Sequence, residues 1–213
     1  MIKTTKKPEV KADSSNIVSK LETRFNMIVN DGAPLGECAV LAETLACEYA
    51  KEAERTARSN ETVEAKNLIN KSADYWILAS QFSLSCGKKL SDKVITSGAG
   101  YILFLSNQGY RIDCSEDRQY VLDAIRLLYC AQMCNTKKDF ANMNTYLYEA
   151  SSKYMLASAC LEKTDHKKAE DYICYADELL LVVKKGKFSL PWDKVTIDQN
   201  SLNQLSRLEH DIL

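Results

Sequence analysis

Glycine and proline are scarce in this chain of 213 residues, which contains only 7 Gly and 3 Pro. Both residues mark turns and strand ends, so a protein built from many short strands would need more of them. Their scarcity favours long helices joined by few turns. Apolar residues make up 46% and charged residues 27% of the chain, a balance typical of a folded globular protein, and its length suits a single domain.

An excess of charge of one sign is also absent, because 28 Lys and Arg face 29 Asp and Glu. No overall field therefore attracts nucleic acid or an anionic membrane. The one local exception is residues 1–13, where Lys3, Lys6, Lys7 and Lys11 stand in an almost wholly polar segment. We predict a flexible basic tail there, since such a segment buries too little apolar surface to order itself. A weak nucleic-acid or membrane contact is the alternative.

Long hydrophobic runs and secretion signals are missing as well, which predicts an intracellular, cytoplasmic protein with no membrane span. The chain has eight cysteines but no C-x-x-C pair, and only two histidines, His166 and His210. This composition contains no zinc-ligand pattern. Free thiols that pack as small apolar groups are expected, and neither a metal nor another cofactor is indicated.

Apolar residues at helical spacing predict an all-α fold of about seven or eight helices that form antiparallel hairpins. We expect residues 14–213 to form a single all-helical domain. The predicted helices cover roughly residues 14–30, 38–59, 61–83, 90–110, 115–135, 138–162, 164–186 and 197–213. "RSNET" at residues 58–62 and Thr164 are the predicted N-caps of two of them. Gly186 and Pro191 predict the end of the seventh helix.

An offset of 78 residues aligns the chain with itself without a gap. It places "LAS" at 78–80 on "LAS" at 156–158, Trp76 on Tyr154 and Ile95 on Ile173. The predicted helix ends coincide under the same offset. Two three-helix halves, near residues 38–106 and 116–184, are the interpretation, and chance similarity between common residues is the alternative.

Small residues at fixed spacing let two helices approach closely. In the second half such residues alternate with larger ones, in the order Leu156, Ala157, Cys160, Ala169, Ile173 and Ala176. These intervals resemble the tetratricopeptide repeat, whose first helix carries a large, a small and a third contact residue. Across a short turn, the second helix carries an alanine, an aromatic or apolar residue, and a second alanine. In the first half Leu78, Ala79, Phe82 and Ile95 follow the pattern, while Ser91 and Gly98 occupy the alanine positions.

The resemblance implies a helical array that binds peptides or proteins in a groove. An irregular α-helical bundle is the alternative fold. Some members of the family hold a C-terminal carboxylate with Lys and Asn, but Tyr154, Met155 and Ser158 stand at the nearest positions here, so that clamp is not expected. Partner-binding residues are expected among the tyrosines crowded into two helices, and in the loop "KFSLPWDKV": Tyr148, Tyr154, Tyr175, Phe188 and Trp192. Packing in the core or at its edge is the alternative for the tyrosines, and docking on the last helix is the alternative for Phe188 and Trp192.

Catalytic patterns are weak throughout the chain. No G-x-S-x-G elbow is present, and no Ser or Cys has an identifiable base, so no catalytic residue is predicted. The function predicted from the sequence is a non-enzymatic scaffold or adaptor that binds a protein or peptide. The sequence leaves open whether the protein also forms a homo-oligomer through its terminal helices. The alternative is a magnesium-dependent all-α hydrolase of a nucleotide or other small phosphorylated substrate, whose candidate acidic residues are Glu61, Glu64, Asp74, Asp177 and Glu178.

Overall fold

The structure, a computed structural model, describes residues 14–59, 61–87, 92–95 and 114–193. These segments are helical and contain no strand, which confirms the predicted all-α fold. The helices are α1 (Ser14–Asn30), α2 (Leu35–Arg58), α3 (Thr62–Cys86), α4 (Glu116–Thr136), α5 (Phe140–Leu161) and α6 (His166–Lys185). Residues 92–95 are also helical, and a 3₁₀ turn, Pro191–Asp193, follows α6. The predicted tail at 1–13 and the predicted helix at 197–213 lie outside the described residues.

Side-chain caps explain two of the helix starts. Asp139 accepts a hydrogen bond from the backbone N–H of Asn142 at the start of α5, and Asp165 accepts one from Lys168 at the start of α6. The predicted cap at Thr164 is therefore wrong by one residue, because the carboxylate of Asp165 is better placed to accept. In "RSNET", α3 begins after Glu61, whose side chain makes no capping hydrogen bond, while Asn60 lies outside the described residues. The end of α6 is as predicted: Gly186 has a left-handed backbone, with φ 68°, and its N–H bonds the carbonyl of Val182.

Each helix packs mainly on its neighbours in sequence. The pairs α2–α3, α4–α5 and α5–α6 are the most extensive, and α1 lies against α2. Alanines fill the closest approaches, and Ala42, Ala46, Ala79 and Ala157 are fully buried. Small side chains allow such approaches because they leave room for the facing helix. The result is an array in which each helix packs on the helices before and after it in the sequence.

Burial repeats with the 78-residue offset. The seven buried residues of α5 are Met143, Leu147, Ala150, Ser151, Tyr154, Ala157 and Ser158. Every one falls on a buried residue of α3: Ala65, Ile69, Ser72, Ala73, Trp76, Ala79 and Ser80. The starts of these helices, Thr62 and Phe140, also coincide, and so do the ends of α2 and α4. α3 and α5 therefore present the same face to their surroundings.

A cluster of ionic groups joins α4 to α3. The guanidinium of Arg118 donates to both carboxylate oxygens of Asp74, from Nε at 2.9 Å and from Nη2 at 2.8 Å. Its Nη1 donates to Ser115 Oγ at 2.9 Å, and Asp117 lies 3.5 Å away. Lys168 of α6 adds a second cation 3.8 Å from Asp74. Three helices thus meet at one carboxylate.

Burial by itself would lower the pKa of Arg118, but the charge and hydrogen bonds of Asp74 outweigh it and raise that pKa above its ordinary value. The side chains of Arg118 and Asp74 are each only about one-fifth exposed, at 21% and 20%. A bidentate ion pair of this kind, which we call the Arg118 fork, fixes the orientation of the two side chains as well as their positions. It determines where α4 lies along α3.

Changing Arg118 to Ala should lower the free energy of unfolding by about 3 kcal/mol, because Asp74 and Asp117 would be left with little solvent and without their main cation. Urea unfolding followed by circular dichroism measures this. Arg126→Ala is the matched control, because the side chain of Arg126 is 59% exposed and its ion pair with Asp123 is long, at 3.9 Å. The control should change stability by less than about 0.5 kcal/mol. Equal effects of the two substitutions would contradict a structural role for the Arg118 pair.

Candidate functional site

The seam between α5 and α6 is set by a buried hydrogen bond. Ser151 Oγ donates to the carbonyl oxygen of Ala176 at 3.2 Å, and both residues are buried. Residues three and four positions away on a helix lie beside a given residue, one turn above and one turn below it. Since the helices are antiparallel, Tyr148 lies level with Leu180, and Met155 lies level with Ile173.

The seam has two unlike edges. Its inner edge consists of buried side chains, Leu147 and Tyr154 from α5 and Tyr172 and Leu179 from α6. Its outer edge is apolar but exposed: Tyr148 at 54%, Met155 at 49%, Ile173 at 40% and Leu180 at 39%. We call these four residues the outer edge. Single exposed apolar residues are ordinary, but these four lie along one seam and form an exposed apolar patch.

Aromatic rings pack against one another beneath the seam and support it. The ring centroid of Tyr154 lies 5.8 Å from that of Tyr172 and 5.5 Å from that of Tyr175. Trp192 closes the cluster, 6.3 Å from Tyr175 in an edge-to-face arrangement, and its Nε1 donates to Ser85 Oγ at 3.2 Å. Such ring pairs add stability beyond the area they bury. The cluster holds the chain after α6 against the end of α3.

The same seam in the first half is covered by a helix. Under the 78-residue offset, the counterparts of Met155 and Ile173 are Ile77 and Ile95, which are only 7% and 8% exposed. Both belong to the apolar core that includes Val121, Ile125 and Leu128 of α4. α4 therefore contributes to the core that buries this edge.

Polar contacts follow the same correspondence. Ser115 N–H, at the start of α4, donates to Asn70 Oδ1 at 2.8 Å, and Tyr129 OH donates to Asp92. The Arg118 fork binds Asp74. The counterparts of Asn70, Asp74 and Asp92 in the second half are Tyr148, Ser152 and Glu170, and all three are exposed. Positions that contact α4 in the first half thus face solvent in the second.

The structure separates the five predicted partner-binding residues into three groups. Tyr148 is exposed and lies on the outer edge. Tyr154 is fully buried and Trp192 is 7% exposed, so neither is available for direct contact, and their prediction as contact residues is corrected. Tyr175 and Phe188 are partly buried against the same core. The rings of Tyr154 and Trp192 are buried because they pack in the core and stabilise α6, and this burial explains the correction.

Met155, Ile173 and Leu180 were not predicted as partner contacts. The sequence pattern places Ile173 among the contacts within the hairpin and Met155 at a clamp position. Their apolar character at helical spacing is the same signal that marks core residues. The three alanines of the pattern, Ala157, Ala169 and Ala176, are indeed buried. Its larger members, Leu156 and Ile173, are exposed instead.

A cleft of about 430 Å³ lies between α4 and α5 on the outer side of the pair. Its charged groups largely neutralise one another, since Asp123 lies 3.3 Å from Lys153 and 3.9 Å from Arg126. Ser152 lines this cleft and also stands between Tyr148 and Met155. The cleft therefore borders the outer edge and extends the same surface.

The acidic residues considered for magnesium binding do not form a metal site within the described part of the chain. Asp74 is held by Arg118 and Lys168. Among residues 14–59, 61–87, 92–95 and 114–193, no group of three or more His, Cys, Asp or Glu side chains is placed to hold a metal ion.

Three comparisons with known proteins, against protein-family models, curated proteins and solved structures, gave no match. No helix in the described segments is long and apolar enough to cross a membrane.

The tyrosine cluster predicts loss of stability at high pH. Burial raises the pKa of Tyr175 to about 12 and also raises the pKa values of Tyr154 and Tyr172 above the ordinary value. A raised folded-state pKa contributes stability that is fully present below the unfolded-state value near 10 and is lost as pH rises through the folded-state value. The urea concentration at the midpoint of unfolding should therefore decrease as the pH is raised from about 10 to 12. Tyr175→Phe should make that decrease smaller. Tyr148→Phe is the control and should leave it unchanged, because Tyr148 is exposed. An identical pH dependence in wild type and Tyr175→Phe would contradict the assignment.

Proposed function

We propose that this protein is a non-enzymatic scaffold or adaptor that binds an amphipathic helix of a partner protein along the outer edge. One observation carries the proposal. The outer edge is exposed, whereas Ile77 and Ile95 at the corresponding positions of the first half are buried in a core shared with α4. A surface that this fold covers with a helix is shaped to accept another helix.

The length of the outer edge suits such an occupant. Tyr148 and Met155 are two turns apart on α5, and Ile173 and Leu180 are two turns apart on α6, so each pair spans about 10 Å. A helix lying over the seam would place apolar residues at i, i+3, i+4 and i+7 against them. Tyrosine and methionine suit this role, because one offers a large rigid ring and the other a side chain that adapts to its neighbour.

Acidic groups beside the outer edge indicate the charge of the partner. Asp177 is exposed and stands between Ile173 and Leu180, one turn from each. Glu170 is exposed on the preceding turn, 3.3 Å from His166. A partner helix with Lys or Arg beside its apolar stripe would meet these carboxylates. The expected partner is therefore an amphipathic helix with one basic edge.

The wider proposal keeps the architecture expected from the sequence. The successive packing of antiparallel helices and the repeated burial pattern support a tetratricopeptide-like array of two three-helix halves. All eight cysteines are free, which supports a reducing, cytoplasmic location. Self-association through the same outer edge is the competing use of the surface, and it is distinguished by the mass of the protein in solution.

A library of helical peptides displayed on phage tests the proposal. Selection against the full chain should enrich amphipathic sequences with a basic edge. Tyr148→Ser combined with Leu180→Ser should weaken binding of the selected peptide by about 30-fold, equivalent to about 2 kcal/mol, because both anchors of one end are lost. Isothermal titration calorimetry measures the change.

A second double variant, Met27→Ser with Val63→Ser, serves as the control. These residues are 59% and 76% exposed on α1 and α3, so the substitutions remove a comparable amount of exposed apolar surface elsewhere. Peptide affinity should be unchanged. Equal losses in both double variants would contradict a specific site, and so would a selection that enriches no amphipathic helix.

A further inference from the structure

We propose that the chain's own C-terminal segment, residues 197–213, occupies the outer edge when no partner is bound, so that a partner helix must displace it. The inference rests on the function proposed above and adds its regulation. The position of the segment in the sequence is the first observation that supports it. The offset that superposes the burial of α3 and α5 also places residues 116–135, which form nearly all of α4, on residues 194–213. The segment therefore follows the second half as α4 follows the first.

The contacts of α4 show what that position does. In the first half α4 follows residues 92–95 in the chain and lies over the seam between them and α3. It reaches one side through Arg118 and Asp74, and the other through Tyr129 and Asp92. In the second half the corresponding seam is that of α5 and α6. A helix supplied by the next stretch of chain would lie over the outer edge.

The sequence of the segment has the required pattern. Leu202, Leu205 and Leu208 recur at intervals of three, which places them along one side of a helix. α4 carries a stripe of the same spacing, Ile125, Leu128 and Ala131, where it covers the first half. The offset places the three leucines one residue before that stripe, on Ala124, Leu127 and Cys130, so the two helices share the spacing of the stripe but not its register. A 17-residue helix would be about 25 Å long, more than the two turns that the outer edge spans.

The end of the described chain is within reach. The 3₁₀ turn Pro191–Asp193 lies against α6, held by the contact of Trp192 with Tyr175. From there, the eight residues before Leu202 can extend about 26 Å, while a helix with its side chains is only about 10 Å across. The chain can therefore pass around α6 and reach Ile173 and Leu180.

The apolar surface exposed at the end of the array also favours an occupant. Arrays of stacked helices expose apolar surface at their last unit unless a capping element with a polar outer side covers it. In the described chain α6 is the last long helix, and it exposes Ile173, Leu180 and Leu181. The leucines of the C-terminal segment would cover this surface and leave the segment's polar residues in solvent.

Site-specific photocrosslinking in the full chain tests the proposal. Benzoylphenylalanine at position 148 should crosslink to residues 197–213, with a yield at least five-fold higher than the same group at position 63, another exposed site. Substituting Leu202, Leu205 and Leu208 together by Ser should reduce the yield at 148 at least five-fold. Mass spectrometry of the crosslinked peptides identifies the partner residues. Equal yields at positions 148 and 63, or an unchanged yield in the triple variant, would overturn the proposal.

A mixture of ¹⁴N- and ¹⁵N-labelled protein separates this proposal from a second copy as the occupant. Crosslinks within one isotope support the intramolecular contact, and a statistical share of mixed-isotope crosslinks would overturn it. The triple variant should also bind the selected amphipathic peptide about 10-fold more tightly, because its own segment no longer competes. If neither protein binds any peptide while the crosslinks form as expected, the partner-binding function fails and the intramolecular contact stands. If peptide affinity is the same in both proteins, the segment does not regulate binding.

Discussion

The fork between Arg118 and Asp74 is the constraint on which the arrangement of the two halves depends. It is bidentate and largely removed from solvent, and it joins the first turn of α4 to the middle of α3. With Ser115 bound to Asn70 nearby, it defines both the position and the direction of α4. Ile77 and Ile95 can then be buried in the core shared with α4. A charged pair thus decides which apolar surface of the first half is covered.

The consequence for function lies in the second half, where the corresponding polar groups are replaced. Tyr148 and Ser152 occupy the positions of Asn70 and Asp74. Without an amide and a carboxylate there, a copy of the α4 interface would lack its polar anchors, and the remaining attraction is mainly apolar. An interface of that kind suits an occupant that binds and leaves, since it has no buried ion pair to break. A permanent contact and an exchangeable one can therefore share one helical framework.

Much of the fold could be predicted from the sequence because helical periodicity is a local signal. The bounds of α2, α4 and α5 lie within three residues of those expected, and Gly186 ends α6 as its backbone freedom suggests. The caps were harder to assign, since Thr164 and Asp165 are adjacent and only the local backbone selects Asp165. The candidate site could be predicted only in part. Tyr148 was among the expected residues, but Tyr154 and Trp192 are buried, and Met155, Ile173 and Leu180 carry the same apolar signal as the core.

The sequence by itself determined that the chain is helical, where most helices begin and end, and that no catalytic or metal pattern stands out in it. These properties depend on neighbouring residues, on backbone preferences and on composition, all of which can be read along the chain. Only the tertiary structure decided which apolar residues face inward. That choice depends on contacts between residues far apart in sequence, such as Asp74 with Arg118 and Ser151 with Ala176. Exposure is a property of the packed array, and it alone distinguishes the outer edge of the seam from the inner edge.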